Sequence, residues 1–550
     1  MVNINNKLLA AIYNGENIEK IRELIEQGAD VNAKGFGNYT PLFLAVEKDN
    51  LEVLKELIKS GVNVKNNDDA RLLLNSIKKE NFQIALELIK AGINVNLSDE
   101  NGETAIFYAI RSRNLELIIE LIKNGANVNK KNLDGNTPLI IATQLNCREI
   151  FEEILKSKPD INLQGAGGKT AMHLAVENEN YEMVKLLLKI NANVEIKDIE
   201  NNTPLIISVL KDSVKIFKEL IKAGADINTN GYGNYTPLIL AVEHRNYEII
   251  KDLISLHANL NAENIDGETA LIVALKRGFK DIAIDLIKAG ADVNIKDIQY
   301  TTPLMIASEK GYTEIVKEII NRGADINARD MKKNTALILA VEKNNEEVIN
   351  VLLNAGADIS LCGFGNYDAL CMAAKVGNLN IVKKLIEKGA DINSKGYGKF
   401  TPLLFAVEYG NFEIVKFLIE KGADIKVKNL FGYNALHIAV EKGYKNIVEL
   451  LLEKNIDINE RDINFNTPLF NAVEKGFEEI ALLLIRKGAI INIQNKLGDT
   501  PLIVAARTGR KKLVELLLKS GANKDIKNLD NMTAVEVCED IEIKEFIIKF

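Results

Sequence analysis

A period of 33 residues is the feature that most constrains what this 550-residue chain can fold into. Register starts run from Lys7 to Thr40, come two residues early at Arg71, and then advance by 33 residues each from Thr104 to Thr533. A fixed period of this length is typical of a solenoid, in which each unit buries its apolar face only against its neighbours. The chain is therefore predicted to build an extended recognition surface, with no enclosed active-site pocket.

Each repeat carries the signals of two short helices. In the unit NYTPLFLAVEKDNLEVLKELIKSGVNV, Thr40 is predicted to cap a first helix, and Pro41 takes its first position, where no amide is needed. A second apolar stripe at helical spacing ends 21 residues after the start, where Gly61 and its equivalents suit a left-handed C-cap. Lys158 and His257 replace that glycine and are predicted to be strained.

These repeats resemble ankyrin repeats over the whole chain. The TPLxxA helix start and the GADIN helix exit recur in register, and His173 and His437 stand at the family's usual histidine position. The resemblance implies an all-α solenoid of stacked helix-turn-helix units with projecting β-hairpin-like loops. It implies partners that bind the concave first-helix face and the hairpin tips, and it does not imply an enzyme.

The two ends are predicted to be caps around one continuous array. Residues 1–33 form the N-terminal capping repeat, residues 34–532 the array, and residues 533–550 a truncated C-terminal capping repeat with a shortened second helix. The C-terminal segment is rich in apolar residues, which leaves two possibilities open: burial on the preceding repeat or docking elsewhere. The early start at Arg71 follows the loop VKNNDDAR, so the weakest joint, with a possible bend, is predicted between the second and third repeats.

Composition excludes several classes of function. The net charge is only −7 and the signs alternate along the first helices, which disfavours nucleic-acid binding. Four dispersed cysteines match no disulfide framework or metal site, which fits a reducing compartment. No stretch suggests a membrane span, and the N-terminus lacks a secretory signal. We therefore expect a cytoplasmic monomer with no cofactor, no metal and no small-molecule substrate.

Apparent catalytic motifs fit the repeat better than they fit chemistry. GAGGKT, at residues 165–170, lacks the earlier glycine of a phosphate-binding loop because Leu163 stands there, and Thr170 is already a predicted helix cap. The Asp134-Gly135 and Asp266-Gly267 pairs lie where the repeat needs a turn. The histidines are dispersed without a nucleophile partner, so no catalytic residue is predicted.

Five loops replace the usual Asp-Gly turn by a Gly-x-Gly turn, and four of them add aromatic residues: GFGNYT, GYGNYT, GFGNYD and GYGKFT. Flanking glycines permit backbone angles that other residues avoid, so the first aromatic of each loop is predicted to point outward. The second aromatic is predicted to pack on the following helix as a hydrophobic staple. The outward residues are Phe36, Tyr232, Phe364 and Tyr397; the second aromatics are Tyr39, Tyr235, Tyr367 and Phe400.

Two hypotheses explain the outward aromatics. They could be binding anchors, since exposed aromatic side chains dominate interface energetics, or they could stack tip to tip after inheritance from a duplicated segment. Phe364 and Tyr397 lie in adjacent repeats and form the strongest candidate pair. The varied ends of the first helices add the remaining candidate binding residues, which are Glu243, His244, Lys375, Glu408 and Tyr409.

The position nine residues after each start divides the array. Later repeats carry glycine there, with Asn344 as the exception, whereas earlier repeats carry residues such as Arg113 and Arg245. Glycine in a left-handed cap relieves about 1 kcal/mol of strain, so the C-terminal half is predicted to be more stable.

Two functions remain open after this comparison. The first is a cytoplasmic scaffold or adaptor that binds partner proteins through loop tips and the concave face. The second is a microbial effector that engages host proteins with the same surface after delivery into a host cell without a cleavable N-terminal signal.

Overall fold

The protein was analysed as a computed structural model that describes residues 3–65 and 71–550, apart from the side chain of Phe36. Two compact units make up the chain, Met1–Ile265 and Asp266–Phe550. Every regular element in the described ranges is helical, which confirms the all-α class. Residues 66–70, and with them most of the loop predicted to be a weak joint, lie outside the described residues.

Unit 1 alternates a first and a second helix in each repeat, with the apolar faces of both turned into a continuous core that contains Phe107, Phe151 and Phe217. Its first helices are α1 (Ile4–Asn14), α3 (Pro41–Glu47), α5 (Arg71–Lys78), α7 (Ala105–Arg111), α9 (Pro138–Gln144), α11 (Ala171–Glu177), α13 (Pro204–Leu210) and α15 (Pro237–Glu243). Its second helices are α2 (Ile18–Glu26), α4 (Leu51–Lys59), α6 (Phe82–Lys90), α8 (Leu115–Lys123), α10 (Arg148–Lys156), α12 (Tyr181–Lys189), α14 (Val214–Lys222) and α16 (Tyr247–Ser255).

Unit 2 repeats the arrangement, and Phe470 is among its fully buried side chains. Its first helices are α17 (Ala270–Arg277), α19 (Pro303–Lys310), α21 (Ala336–Glu342), α23 (Ala369–Val376), α25 (Pro402–Glu408), α27 (Ala435–Glu441), α29 (Pro468–Lys475), α31 (Pro501–Arg507) and α33 (Ala534–Val537). Its second helices are α18 (Lys280–Lys288), α20 (Thr313–Asn321), α22 (Glu346–Asn354), α24 (Leu379–Glu387), α26 (Phe412–Glu420), α28 (Lys445–Glu453), α30 (Glu478–Arg486), α32 (Lys511–Lys519) and α34 (Ile541–Lys549).

The predicted caps start most first helices. Thr40 accepts a hydrogen bond from the Phe43 amide at 3.0 Å, and the substitute cap Asp368 accepts one from the Cys371 amide at 2.8 Å. Such a bond satisfies one of the amides that a helix start leaves without an internal partner. Thr104 and Thr467 differ, because their buried hydroxyl groups have no hydrogen-bond partner among the described residues.

Left-handed residues end both helices of a repeat. The position after the second helix has a positive φ whether it is Gly61 (82°), Lys158 (53°) or His257 (58°), which confirms that the last two occupy a conformation unfavourable for residues with a Cβ atom. The position after the first helix behaves alike: φ is 53° at Arg113 and 90° at Gly377. The early and late repeats therefore share one backbone geometry with different residues in it.

The asparagine of the GADIN segment joins consecutive repeats. In unit 1, the Asn228 side-chain oxygen accepts a hydrogen bond from the Asn259 amide at 2.7 Å. In unit 2, Asn393 receives the same bond from the Asp424 amide at 2.9 Å. The bond repeats at intervals of 31 residues along much of each unit, so the recurring asparagine serves the stacking of repeats.

The chain ends differ from the sequence-based expectation in two ways. Helix α1 begins at Ile4 behind Asn3, so the register start Lys7 lies inside the helix. The last repeat shortens its first helix to 4 residues, whereas α34 keeps the usual 9 residues, so the prediction of a shortened second helix was wrong. Helix α34 needs its full length because Ile543 and Ile547 are buried in the unit. The assignment of both ends as caps stays a prediction.

Candidate protein-binding site

The residue four positions before each register start lies at the tip of its loop. In unit 1, Tyr232 at such a tip is 76% exposed, and in unit 2 Phe364 and Tyr397 are 73% and 74% exposed. Most other tips are also apolar and exposed, a pattern that the sequence interpretation missed because it searched only for aromatic residues. These tips are Leu133, Ile199 and Ile265 in unit 1, and Ile298, Met331, Leu430, Ile463 and Leu529 in unit 2.

The Gly-x-Gly loops have a physical reason for both glycines. Gly365 and the following Asn366 are both left-handed, with φ of 71° and 58°, whereas an Asp-Gly loop has only one such residue, for example Gly135. The first glycine, Gly363, lies so close to the side-chain oxygen of Asn334 that a Cβ atom would overlap it. That oxygen accepts a hydrogen bond from the Phe364 amide at 3.0 Å, which fixes the loop with its aromatic ring outward.

The second aromatic of each loop has a structural role. Phe400 packs on Phe405, four positions into the following helix, with ring centroids 5.2 Å apart, as predicted for a hydrophobic staple. Tyr367 instead packs edge-on against Phe405 of the next repeat at 4.8 Å and donates a hydrogen bond to the Tyr397 carbonyl at 3.0 Å. Tyr39 stacks on Phe43 of its own helix at 4.9 Å.

An ion pair recurs between each loop and the end of its first helix wherever the residue before the start is charged. In unit 2, Glu268 pairs with Lys276 at 2.7 Å, and Asp499 holds both guanidinium nitrogens of Arg507. In unit 1, Lys169 pairs with Glu177. Each pair joins the residue before a start to the residue seven after it.

Aromatic residues at that loop position remove the partner of the helix charge. Tyr367 stands where a carboxylate would hold Lys375, and the Lys375 ammonium instead lies 5.8 Å from the Tyr409 ring centroid. In the next repeat, Phe400 takes that position, and Glu408 turns to Lys442 of the following repeat. A sequence search for this pair of positions would have explained why the candidate charges Lys375 and Glu408 differ from those of other repeats.

Two clefts gather most of the candidate residues. A cleft of about 530 Å³ in unit 1, the first cleft, brings Tyr232, Glu243 and His244 together. A cleft of about 300 Å³ in unit 2, the second cleft, is lined by Phe364 and Lys375. The remaining lining residues are Glu200, Asn202, Leu210, Tyr235 and Leu240 in the first cleft, and Lys332, Asn334, Ile338, Glu342, Tyr367 and Met372 in the second.

The other candidates lie outside these clefts. Tyr397, Glu408 and Tyr409 belong to the repeat that follows the second cleft, where Tyr409 is half exposed. Phe364 and Tyr397 occupy adjacent tips of unit 2, and no ring contact joins them within the described part of the chain. The Phe36 side chain lies outside the described residues.

The buried polar groups serve the fold. His173 Nδ1 lies 2.8 Å from the Thr170 hydroxyl and its Nε2 lies 3.2 Å from the Asn202 carbonyl, while burial lowers the pKa of the ring. Burial raises the pKa of the Cys371 thiol, which keeps it protonated and unreactive. Among residues 3–65 and 71–550, no group of three or more histidine, cysteine or acidic side chains could hold a metal ion, and no helix could cross a membrane.

Comparisons with known proteins agree with this geometry. The sequence profile described as ankyrin repeats (3 copies) matches residues 3–68, 72–165, 148–231, 229–297, 289–362, 370–462 and 462–528. Among solved structures, the human ASB11 ankyrin repeat domain is similar at 23% identity and a TM-score of 0.36, over 45% of this chain and 97% of that one. No curated protein sequence matches the chain.

Proposed function

Because this chain belongs to the ankyrin-repeat family, whose repeats are in general protein–protein interaction modules, we propose that it is a non-enzymatic scaffold or adaptor. Partner proteins bind its loop tips and the clefts beside them. The observation that carries the proposal is the exposure of Tyr232, Phe364 and Tyr397, each about three-quarters open to solvent on an ordered loop.

The loops hold these rings ready for a partner. An aromatic ring supplies a large apolar area with only two rotatable bonds, so its immobilisation costs little entropy. Asn334 anchors the Phe364 loop, and the Tyr367 hydroxyl anchors the Tyr397 loop. Binding at the tips therefore needs no rearrangement of the backbone, which favours a preorganised interface.

The apolar tips on either side extend the surface. Ile199 and Ile265 flank Tyr232 in unit 1, and Met331 and Leu430 flank the Phe364 and Tyr397 tips in unit 2. Scattered exposed apolar residues are ordinary, but apolar residues at one register position of consecutive repeats mark an interaction surface. We propose that this row contributes area, with the aromatic residues as its anchors.

The compartment belongs to the same proposal. We place the protein in the cytoplasm, as a monomer without nucleic-acid, membrane or small-molecule partners, and the four cysteines Cys147, Cys362, Cys371 and Cys538 are all free thiols. Delivery into a host cell stays an alternative that a secretion reporter fusion would test.

Affinity capture with matched variants tests the binding role. The variant Tyr232→Ser/Phe364→Ser/Tyr397→Ser removes three exposed rings at the tips. The control Ile190→Ser/Leu256→Ser/Ile490→Ser removes three exposed apolar side chains at the ends of second helices. Proteins retained by the wild-type chain and the control, and lost by the tip variant at an unchanged melting temperature, support the proposal. Equal retention by both variants contradicts it.

A further inference from the structure

The two clefts occupy equivalent positions of the repeat, four repeats apart, and carry opposite charges. Glu200 of the first cleft corresponds to Lys332 of the second, and Glu243 corresponds to Lys375. Both clefts keep a tip aromatic, Tyr232 or Phe364, at the same place. The apolar framework is therefore preserved while the charge at both rim positions is inverted.

The second cleft combines an apolar floor with two ammonium groups. Phe364, Tyr367 and Met372 supply its apolar surface, and Lys332 and Lys375 stand at its edges. Lys332 is exposed and Lys375 is half-buried. Glu342, the one carboxylate of the lining, offsets a single positive charge, so the cleft keeps a net positive character.

The charge of Lys375 is available because its usual partner is replaced. Neither Lys332 nor Lys375 forms an ion pair with another residue in the described part of the chain, and the nearest recorded group to Lys375 is the Tyr409 ring. An exposed lysine without a partner stays hydrated, but one beside an apolar floor gains more from a carboxylate that arrives with an apolar neighbour.

A third cleft shows the contrasting case. It has a volume of about 480 Å³ in unit 2 and includes Arg507 at the position of Lys375. Asp499 takes the position of Tyr367 there and holds Arg507 within the repeat, and the tip residue is Lys496 instead of an aromatic. This cleft offers neither the aromatic anchor nor an unpaired charge.

We propose that the second cleft selects an acidic segment of a partner protein, in which an aspartate or glutamate side chain lies beside an apolar residue. The carboxylate binds between Lys332 and Lys375, and the apolar neighbour packs on Phe364 and Met372. The first cleft, with Glu200 and Glu243 at the same positions, rejects such a segment. This inference rests on the proposed function and adds the chemistry of the partner.

A randomised 12-residue peptide display library, selected on the full-length chain, tests the preference. Three forms are compared: the wild type, Lys332→Glu/Lys375→Glu, and the control Lys388→Glu/Lys496→Glu, which changes the net charge equally at exposed positions outside the second cleft. We expect the wild type and the control to enrich peptides with aspartate or glutamate beside an apolar residue. The cleft variant should lose that enrichment and favour lysine or arginine.

Fluorescence anisotropy with one enriched acidic peptide gives the magnitude. Replacing its acidic residue by the corresponding amide should weaken binding at least about threefold, and the effect should shrink as salt is added. If Lys332→Glu/Lys375→Glu melts lower than the wild type, Lys332→Gln/Lys375→Gln replaces it. Acidic enrichment that survives both cleft variants overturns the inference. Peptides without any charge preference overturn it while protein binding stands, and a wild type that enriches no peptide contradicts both proposals.

Discussion

Replacing Arg113 by glycine should stabilise unit 1. Arg113 follows α7 with φ of 53°, is exposed, and makes no side-chain hydrogen bond or ion pair within the described part of the chain. A residue with a Cβ atom costs roughly 1–2 kcal/mol in the left-handed region. Glycine removes that strain but loses about 0.5–1 kcal/mol through its freer unfolded chain. We therefore expect a net gain of about 0.5–1 kcal/mol for Arg113→Gly.

Two further variants isolate the cause. Arg113→Ala removes the guanidinium group but keeps the Cβ atom, so it should leave the free energy of unfolding nearly unchanged. Gly509→Ala makes the opposite change in unit 2, where φ is 66° and no atom lies within 4 Å of the added carbon. Because no steric clash is introduced there, its expected loss of about 1 kcal/mol reports backbone strain alone.

Native-state hydrogen exchange measures the effect where it arises. The Arg113 amide donates to the Ile110 carbonyl at 3.0 Å and the Asn114 amide donates to the Ala109 carbonyl at 3.1 Å, so both report local opening of the turn after α7. A gain of about 0.7 kcal/mol slows their exchange about threefold. Exchange in Arg113→Gly that equals or exceeds the rate in Arg113→Ala would refute the reasoning.

Two other predictions follow from burial and backbone geometry. Amides of unit 2 should exchange more slowly than those of unit 1, because glycine fills most left-handed positions after its first helices, including Gly377 and Gly509; equal or reversed protection contradicts this. Burial lowers the pKa of His173 and His437, so the unfolded chain binds protons below its histidine pKa of about 6.5 and the native state does not. The free energy of unfolding should therefore fall as the pH drops from 7.5 to 5.5 in urea titrations, and the fall should be smaller in His173→Gln/His437→Gln; an equal fall in both proteins counts against the linkage.

Local rules explain which parts of the fold were predictable. Thr40, Pro41 and the glycines after each helix act within a few residues of their own position, so their roles could be inferred without knowing any tertiary contact. The same holds for the outward direction of Tyr232, Phe364 and Tyr397, because the Gly-x-Gly backbone determines it. Their role in binding is not determined by that backbone and stays a prediction.

The missed features depend on contacts between repeats. Tyr367 packs on Phe405 of the next repeat instead of its own helix, because the larger apolar surface lies there. The last repeat shortens α33 and keeps α34, because Ile547 on α34 is buried in the unit. The sequence pattern within one repeat holds no information about which neighbour offers the better surface.

The sequence by itself determined the repeat, the helix boundaries and the left-handed positions, because caps, prolines and glycines act through local backbone sterics. The tertiary structure alone decided which charges remain unpaired at the surface. Lys375 and Arg507 hold the same register position, yet Asp499 neutralises one and an aromatic ring accompanies the other. Charge at a binding surface depends on the distance between side chains from separate segments, which the folded chain sets and the periodic pattern does not show.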